Sequence, residues 1–451
     1  MKKDMTKGSE WKLILLFTLP IMAGNLLQQL YNTADNVIVG RFVSETAFSA
    51  VSVTAAPTFL FLAFSMGISV GVGVVISQLF GAQQHGKLAV AVDTSIILLG
   101  IIGVAVMILG WIFTPWLLRT VLSVPEDLLA YAIPYMRVYC VGLPFQFVYN
   151  GIAAVLRGVG DSKSSLYFLL TTALLNIVLD IAAIYIVSDP IAQTVGTAWA
   201  TVASQVVCVV ISYIYMLRRL DFGKAEKHFD GAICGNILKI GLPTAIQQSI
   251  VSLGSLAMQR LVNGFADDAL IAAYGAGNRL NSFAFVPIIG FQSGLANFVG
   301  QNIGADRLDR VKRGYHATLV MGLIATVAVC LSLFLFASPL VALFGLEGRS
   351  VDVGVEQIRF LAMWYWFFSL YMLLGGVLQG AGDTVLQSAA TLTALIVRVV
   401  VGYIGVHFGW LGYAAAWSTM PMGWAAATLI TQVRYFTGGW KNKAIARKGT
   451  A

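Results

Sequence analysis

Residues 78–82 read QLFGA, and residues 301–305 read QNIGA. The likeness extends in both directions. Leu19-Pro20 returns as Leu242-Pro243, and Gly67 and Gly71 return as Gly290 and Gly294, all 223 residues apart with no gap between them. Further along, LRGVGD at 156–161 returns as LQGAGD at 378–383, now 222 residues apart, and Arg137 matches Arg359 at that offset. A period of about half the 451-residue chain marks one unit present twice.

Composition says what that unit is made of. Hydrophobic residues form 58% of the chain and charged residues 11%, where soluble domains carry about 25% charged residues. A water-soluble fold of this size has too little interior to hide so much apolar surface. A soluble enzyme, a disordered chain and a nucleic-acid-binding module are excluded, and nucleic acid is not an expected partner. The 45 glycines suit closely packed membrane helices. The fold class is therefore an all-α polytopic membrane protein.

Twelve apolar segments are long enough for a hydrocarbon core of about 30 Å. They run approximately over 12–39, 47–77, 89–115, 127–156, 164–187, 191–217, 236–263, 270–300, 314–337, 353–379, 384–407 and 410–436. The expected organisation is an N-terminal six-helix lobe (1–217), a cytoplasmic inter-lobe loop (218–235, RRLDFGKAEKHFDG within it), and a C-terminal six-helix lobe with a cytoplasmic tail (236–451). Six is even, so both copies insert with the same orientation. They are expected to be related by an axis along the membrane normal, with a central cavity between two pseudo-symmetric lobes, as alternating-access transporters require.

The net charge of +8 follows the same plan. Lys2, Lys3, Lys87, Arg218, Arg219, Arg307, Arg310, Lys312, Arg313 and Lys441 fall on one side, while the opposite loops hold Arg41, Arg119 and Arg349. The positive-inside rule then places both termini in the cytoplasm of a multi-pass cell-membrane protein. MKKDMTKGSEWK leads into the first apolar segment without a small-residue cleavage site, so that segment is read as a spanning helix. Cys140, Cys208, Cys234 and Cys330 are scattered and report neither a disulfide framework nor a zinc site. No GxxxxGK[ST] loop is present, and no enzyme constellation or cofactor motif stands out.

Ionisable groups inside spans are the informative exceptions, since each costs roughly 2.5–3.5 kcal/mol at mid-helix on the insertion scale and is functional by default. Asp35 lies in helix 1 and Asp180 in helix 5; Asp93 sits near the inner end of helix 3, within reach of water. Gln28, Asn32 and Asp35 share a face of helix 1, Asn176 and Asp180 are one turn apart, and Thr197 and Thr201 are one turn apart on helix 6. Brought together, their carboxylate, amide and hydroxyl oxygens suit a small hard cation or a shared proton, and two close carboxylates titrate as a coupled pair. The bland reading is that each Asp only locks helices together. The repeat argues against it: Asp35 matches Met258, Asp180 matches Gly402 and Asn176 matches Arg398, so the second copy keeps the scaffold without the acids.

Other features weigh less. Arg398, mid-span in helix 11, is read as a fixed structural charge, the other reading being that it shapes the field in a cavity. Arg137 and Arg359 are explained by snorkelling. Tyr31, Tyr139, Phe147 and Tyr149 in the first copy, and Phe283, Phe285, Tyr365 and Phe368 in the second, are candidates to line a cavity and attract lipophilic cations, although most membrane aromatics only pack. Gln247, Gln248 and Gln259 on helix 7 would bind substrate or bridge helices. Pro20, Pro243, Pro144 and Pro287 remove helix hydrogen bonds and permit kinks. GVGD and GAGD read as turns, with Gly for the tight backbone and Asp as an N-cap.

These features together resemble the multidrug and toxic compound extrusion (MATE) family of efflux transporters over essentially the whole chain. The resemblance rests on the two six-helix copies, LP in helices 1 and 7, QLFGA/QNIGA, RGVGD/QGAGD, and the helix 1 Asp with the helix 5 N-x3-D. It implies a V-shaped pair of lobes and export of cationic or amphipathic compounds in exchange for H⁺ or Na⁺. It also implies a cation site at Asp35, Asn176, Asp180 and Thr201, the ligands if the ion is Na⁺, with Thr197 contributing a backbone carbonyl. Another branch of the family has a Glu in helix 7 and an Asp in helix 10; this chain has Gln247 and Gln248 in helix 7 and no acid after Glu356 in helix 10. The expected function is a monomeric antiporter for lipophilic cations, with Gln28, Tyr31, Asn32, Tyr139, Phe147, Gln247 and Gln248 as candidate substrate contacts among membrane lipids. The alternatives are a flippase for a lipid-linked or amphipathic lipid, and a non-transporting receptor or scaffold with no use for buried acids.

Overall fold

The structure, a computed structural model, describes residues 3–220, 227–410 and 412–446; the side chains of 32–37, 40 and 253 lie outside the described set. Every regular element among the described residues is a helix. Twelve are 23 residues or longer, one for each apolar segment. They are α1 (Glu10–Phe42), α2 (Glu45–Gly81), α3 (His85–Trp116), α4 (Glu126–Gly158), α5 (Ser162–Ile186), α6 (Pro190–Arg219), α7 (Gly231–Asn263), α8 (Asp268–Gly304), α9 (Leu308–Leu335), α10 (Arg349–Ala381), α11 (Thr384–His407) and α12 (Ala415–Thr437). Ten of them meet the length and apolarity of a bilayer crossing over their described residues, and α7 and α12 lie outside that set. A short helix, Ala337–Ala342, which periodicity did not reveal, follows α9.

Local chemistry explains the ends. Ser44, Asp161, Asp189 and Asp267 cap α2, α5, α6 and α8 by accepting from the backbone N–H three residues on. The two GxGD turns differ, however. Gly160 and Gly382 both adopt left-handed backbone, at φ +88° and +86°, as expected for glycine. Asp161 caps α5 and also accepts from Tyr215 Oη at 2.9 Å. Asp383 makes no cap, contrary to the sequence expectation; its Oδ2 accepts from Arg434 Nε of α12 at 2.6 Å. A charged partner within reach outcompetes a backbone amide for a carboxylate.

The helices form two compact units: residues 1–4 with 23–245, and residues 5–22 with 246–451. The pairing of helices repeats between them. In unit 1, α2, α3 and α6 pack on α4, and α5 on α6; in unit 2, α8, α9 and α12 pack on α10, and α11 on α12. The division also repeats. The cut within α1 falls after Met22 and the cut within α7 after Ala245, 223 residues later. The units are thus not bounded at the inter-lobe loop 218–235: the first half of α1 packs with the second copy and the first half of α7 with the first.

This arrangement explains the recurring glycines. A Cβ on Gly67 would stand 2.2 Å from Ala245 Cα, and one on Gly71 2.2 Å from the Ile237 carbonyl oxygen. A Cβ on Gly290 would meet Met22 Cγ at 2.3 Å, and one on Gly294 would meet Thr18 Oγ1 at 2.1 Å. Each pair of glycines receives a half-helix from the other copy, at its backbone in the first case and at its side chains in the second, the close approach that small residues permit in membranes.

Candidate functional site

Helix α5 sorts its residues cleanly. Leu174, Val178, Ile181 and Tyr185 are exposed, while Ala173, Asn176, Asp180 and Ile184 are buried. The two sets recur at helical spacing, so one apolar face meets lipid and the polar pair turns inward. Asn176 and Asp180 are both fully buried.

The facing helix, α6, brings Thr194, Thr197 and Thr201. The Thr194 hydroxyl donates to the Pro190 carbonyl at 2.8 Å and the Thr197 hydroxyl to the Thr194 carbonyl at 2.8 Å. Thr201 Oγ1 lies 3.1 Å from the Thr197 carbonyl, to which it donates. The hydrogen-bond network sets the Asn176 amide. With its nitrogen turned toward Tyr31 and Asp180, Nδ2 donates to Tyr31 Oη at 3.1 Å and to Asp180 Oδ2 at 3.0 Å, and Oδ1 lies 3.2 Å from Thr201 Oγ1. The single Thr201 proton serves either the Thr197 carbonyl or the Asn176 oxygen. The buried Asp180 and Asn176 and the half-buried Thr201 thus form one cluster with Tyr31 at its edge, and Thr201 links it to the Thr197 carbonyl.

The cluster is rich in oxygen acceptors: a carboxylate, an amide oxygen, hydroxyl lone pairs and a helix carbonyl. Such a set fits a hard cation or a proton. Helix α1 runs through residues 32–37 as regular helix, but the side chains of Asp35 and Asn32, both singled out from sequence, lie outside the described residues. Among the described residues no group of three His, Cys, Asp or Glu side chains gathers as a metal site.

A cavity of about 70 Å³ adjoins the cluster and shares Tyr31 and Thr201 with it. Gln28, Gln146, Tyr149, Thr172, Ser204, Gln205 and Cys208 complete much of its wall. Gln205 Nε2 donates to Gln146 Oε1 at 2.9 Å, while the buried Gln205 Oε1 meets no partner. The space suits water or a partly hydrated ion and is well short of the roughly 300–1,000 Å³ of a drug-sized pocket.

The structure divides the remaining candidates. Gln28 and Tyr31 line the cavity. Tyr139 is half-buried on α4 and outside the cavity wall. Phe147 is fully buried, its ring 6.5 Å from that of Phe64, in the packing of α2 on α4. Gln247 bridges helices within unit 2, donating to Thr391 Oγ1 at 3.0 Å and accepting from Ser388 Oγ at 2.9 Å; Gln248 beside it is half-buried. Arg398 donates from Nη2 to Tyr274 Oη at 3.0 Å. Gln146, Thr172, Ser204 and Gln205 were not read from sequence. A signal existed for one of them: Thr197, Thr201 and Gln205 continue one stripe of α6 at four-residue spacing.

Comparison with known proteins agrees with this architecture. The MatE family model matches residues 20–182 and 243–404, one match in each copy. The chain is 27% identical over 451 residues to the probable multidrug resistance protein YoeA of Bacillus subtilis, covering 98% of this chain and 96% of that protein. It is 26% identical over 448 residues to the probable multidrug resistance protein YpnP of the same organism, covering 97% of each. Its fold is that of a solved outward-facing multidrug resistance MATE family transporter of the MOP superfamily, with a TM-score of 0.89 at 24% identity, covering 97% of this chain and 98% of that one. With a family model matched across both copies and helices of membrane-spanning length, the chain belongs to the MatE family and is a multi-pass membrane transporter, not an enzyme.

Proposed function

We propose that the protein is a secondary antiporter that exports cationic or amphipathic small molecules from the cytoplasm in exchange for H⁺ or Na⁺. The relatives named for multidrug resistance support the export. The observation that carries the coupling is the fully buried Asp180, hydrogen-bonded to Asn176 beside Thr201 and a water-sized cavity. A carboxylate held in a membrane bundle is costly unless a cation or proton attends it. The coupling site of this proposal is Asp35, Asn176, Asp180, Thr201 and the Thr197 carbonyl; for Na⁺ the ligands are drawn from the same set. The protein acts as a monomer in the cell membrane with both termini inside, moving lipophilic cations.

Coupling follows from unequal binding. A cation entering from outside neutralises the acids of unit 1 and favours the state that releases the exported compound. That compound, bound from inside, favours the state in which the acids have given up their cation. The small cavity beside Asp180 admits the ion and its water, not a drug, so the two ligands exclude each other through the state of the site and not by filling one pocket.

Efflux of a fluorescent lipophilic cation from energised cells, with ΔpH and ΔNa⁺ imposed separately, tests the reading. Wild type, Asp35→Asn and Asp180→Asn are compared at equal expression. The expected result is efflux driven by one gradient, lost in both variants. No movement of any cationic dye by folded protein would overturn it and turn attention to the flippase alternative, assayed with a lipid-linked substrate.

A further inference from the structure

Unit 2 holds a half-buried charge of the opposite sign, Arg398, in a setting the cation cycle does not use. One face of α8 carries Tyr274, Gly277 and Asn281, at i, i+3 and i+7. Arg398 of α11 bonds to the first position through Tyr274 Oη. Gln357 of α10 lies against the second: a Cβ on Gly277 would stand 2.4 to 2.6 Å from all three atoms of its amide. Tyr365 of α10 donates to the third, Asn281 Oδ1. Tyr274, Gln357 and Asn281 are each at least 97% buried.

This row has a surplus of donors. Arg398 Nε is shut away from solvent and meets no acceptor. Both amide atoms of Gln357 and the Nδ2 of Asn281 lack partners. Tyr274 accepts from the guanidinium, which leaves its own proton to give. Among the described residues no carboxylate forms an ion pair with Arg398; the recorded pairs lie elsewhere. Three of these four unpartnered atoms are donors, Gln357 Oε1 being the one acceptor; donors in excess along the helix face that holds a cation without a counter-ion are what a site for a negative ligand presents. Gly277 sharpens the point, since only a residue without a side chain lets the Gln357 amide come up to α8 one turn from Tyr274.

We propose that unit 2 contains an anion-binding site between Arg398 and Gln357, on the α8 face marked by Tyr274 and Gly277, which takes one small monovalent anion. The ligand chemistry is that of chloride or a single carboxylate. Arg398 supplies the charge and its Nε–H, and Gln357 Nε2 and the Tyr274 hydroxyl donate beside it. Chloride would make the site a resident structural or co-transported ion. A carboxylate would make it the point at which an amphipathic substrate's acid group is read.

The test is thermal unfolding of the purified transporter in non-ionic detergent at constant sodium and ionic strength, so that the cation site of unit 1 sees no change. Chloride, or separately benzoate, replaces the bulky sulfonate MES. The expected result is a saturable rise in Tm. It should be absent in Arg398→Gln, and in Gln357→Met it should need about tenfold or more anion. Gln357→Met keeps the length of the side chain and removes an unpaired amide, so it should fold as well as wild type and keeps the test decisive if Arg398→Gln does not fold. A response to chloride identifies a resident ion; a response to benzoate alone identifies a reader of carboxylates. No response to either anion, or an undiminished response in Gln357→Met, overturns the proposal, whatever the transport assay returns.

Discussion

The two copies of the repeat hold their helices together in the same way and furnish them with opposite charge. Where α5 of the first copy buries Asn176 and Asp180, α11 of the second places Arg398 and Gly402. Where α1 carries Asp35, α7 carries the fully buried Met258, whose Cε lies within 3.4 Å of where a Cβ on Gly402 would be. The paired glycines of α2 and α8, by contrast, meet a half-helix at the same close distance in both copies. Backbone packing tolerates almost nothing and has kept its form. Interior polar positions need only local compensation, and they have parted. The scaffold is thus shared, while the charge set among the helices differs in sign between the copies.

The largest effect is expected from erasing that difference. Asn176→Arg puts the second copy's residue into the first, placing a fixed positive charge beside Asp180 as a permanent counter-ion. Gradient-driven dye efflux should fall to background while the protein still reaches the membrane. Efflux that still follows the gradient would mean that Asp180 does not exchange a cation.

The scaffold contrast comes next. Gly71→Ala drives a methyl into the Ile237 backbone carbonyl, whereas Gly294→Ala meets only the Thr18 side chain. Both should destabilise, Gly71→Ala by about 1–3 kcal/mol as overpacked cores do, and Gly294→Ala by less because the clash is with a side chain and not with backbone. Unfolding temperatures of the two variants check the order.

A smaller change is expected at the rim of the cation cluster. Thr201→Val keeps the volume and removes the hydroxyl beside Asn176. Loss of one oxygen at a charged site should raise the half-saturating cation concentration for exchange about tenfold. The same deletion at Thr419 of the second copy, which matches Thr197 and whose hydroxyl donates to the Ala415 carbonyl at 3.1 Å, should leave cation dependence unchanged.

The smallest effect lies at the linker before α7. Lys227 Nζ sits 2.6 Å from Asp230 Oδ2. That ammonium, with the Ile233 and Ala232 amides, holds the Asp230 carboxyl below its ordinary value. A depressed carboxylate contributes stability above its unfolded pKa and loses it as pH falls through the folded value, so the Asp230 contribution should be indifferent to pH near neutrality and weaken only in acid. Lys227→Ala should return the carboxyl toward the ordinary range, as followed by NMR titration of the Asp230 carboxyl.

Much of this was legible in the residues. Apolar run length marked a helix for each of the twelve segments, and the ungapped offset between QLFGA and QNIGA exposed the duplication. Four-residue spacing put Asn176 with Asp180 and Thr197 with Thr201 on common faces. Spacing names a face but not the neighbour it meets. It could not say that the first half of α1 packs against Gly290 and Gly294 of the second copy, or that Phe147 meets Phe64 in the packing and leaves the cavity wall to Gln146. Nor could it say that Asp383 prefers Arg434, 51 residues on, to the backbone beside it. Those choices belong to tertiary contacts, where a charge or a close-packed ring outweighs local preference.

On the proposed cycle the first copy alone exchanges a cation against the exported compound. The most direct measurement is the ion released when a lipophilic cation is added to purified, weakly buffered transporter, read as protons by pH electrode or as ²²Na⁺ from preloaded protein. Wild type should release the ion stoichiometrically, Asp180→Asn should release none, and Arg398→Gln should release it in full. Release that persists in Asp180→Asn, or that disappears in Arg398→Gln while the protein remains folded, would contradict that cycle.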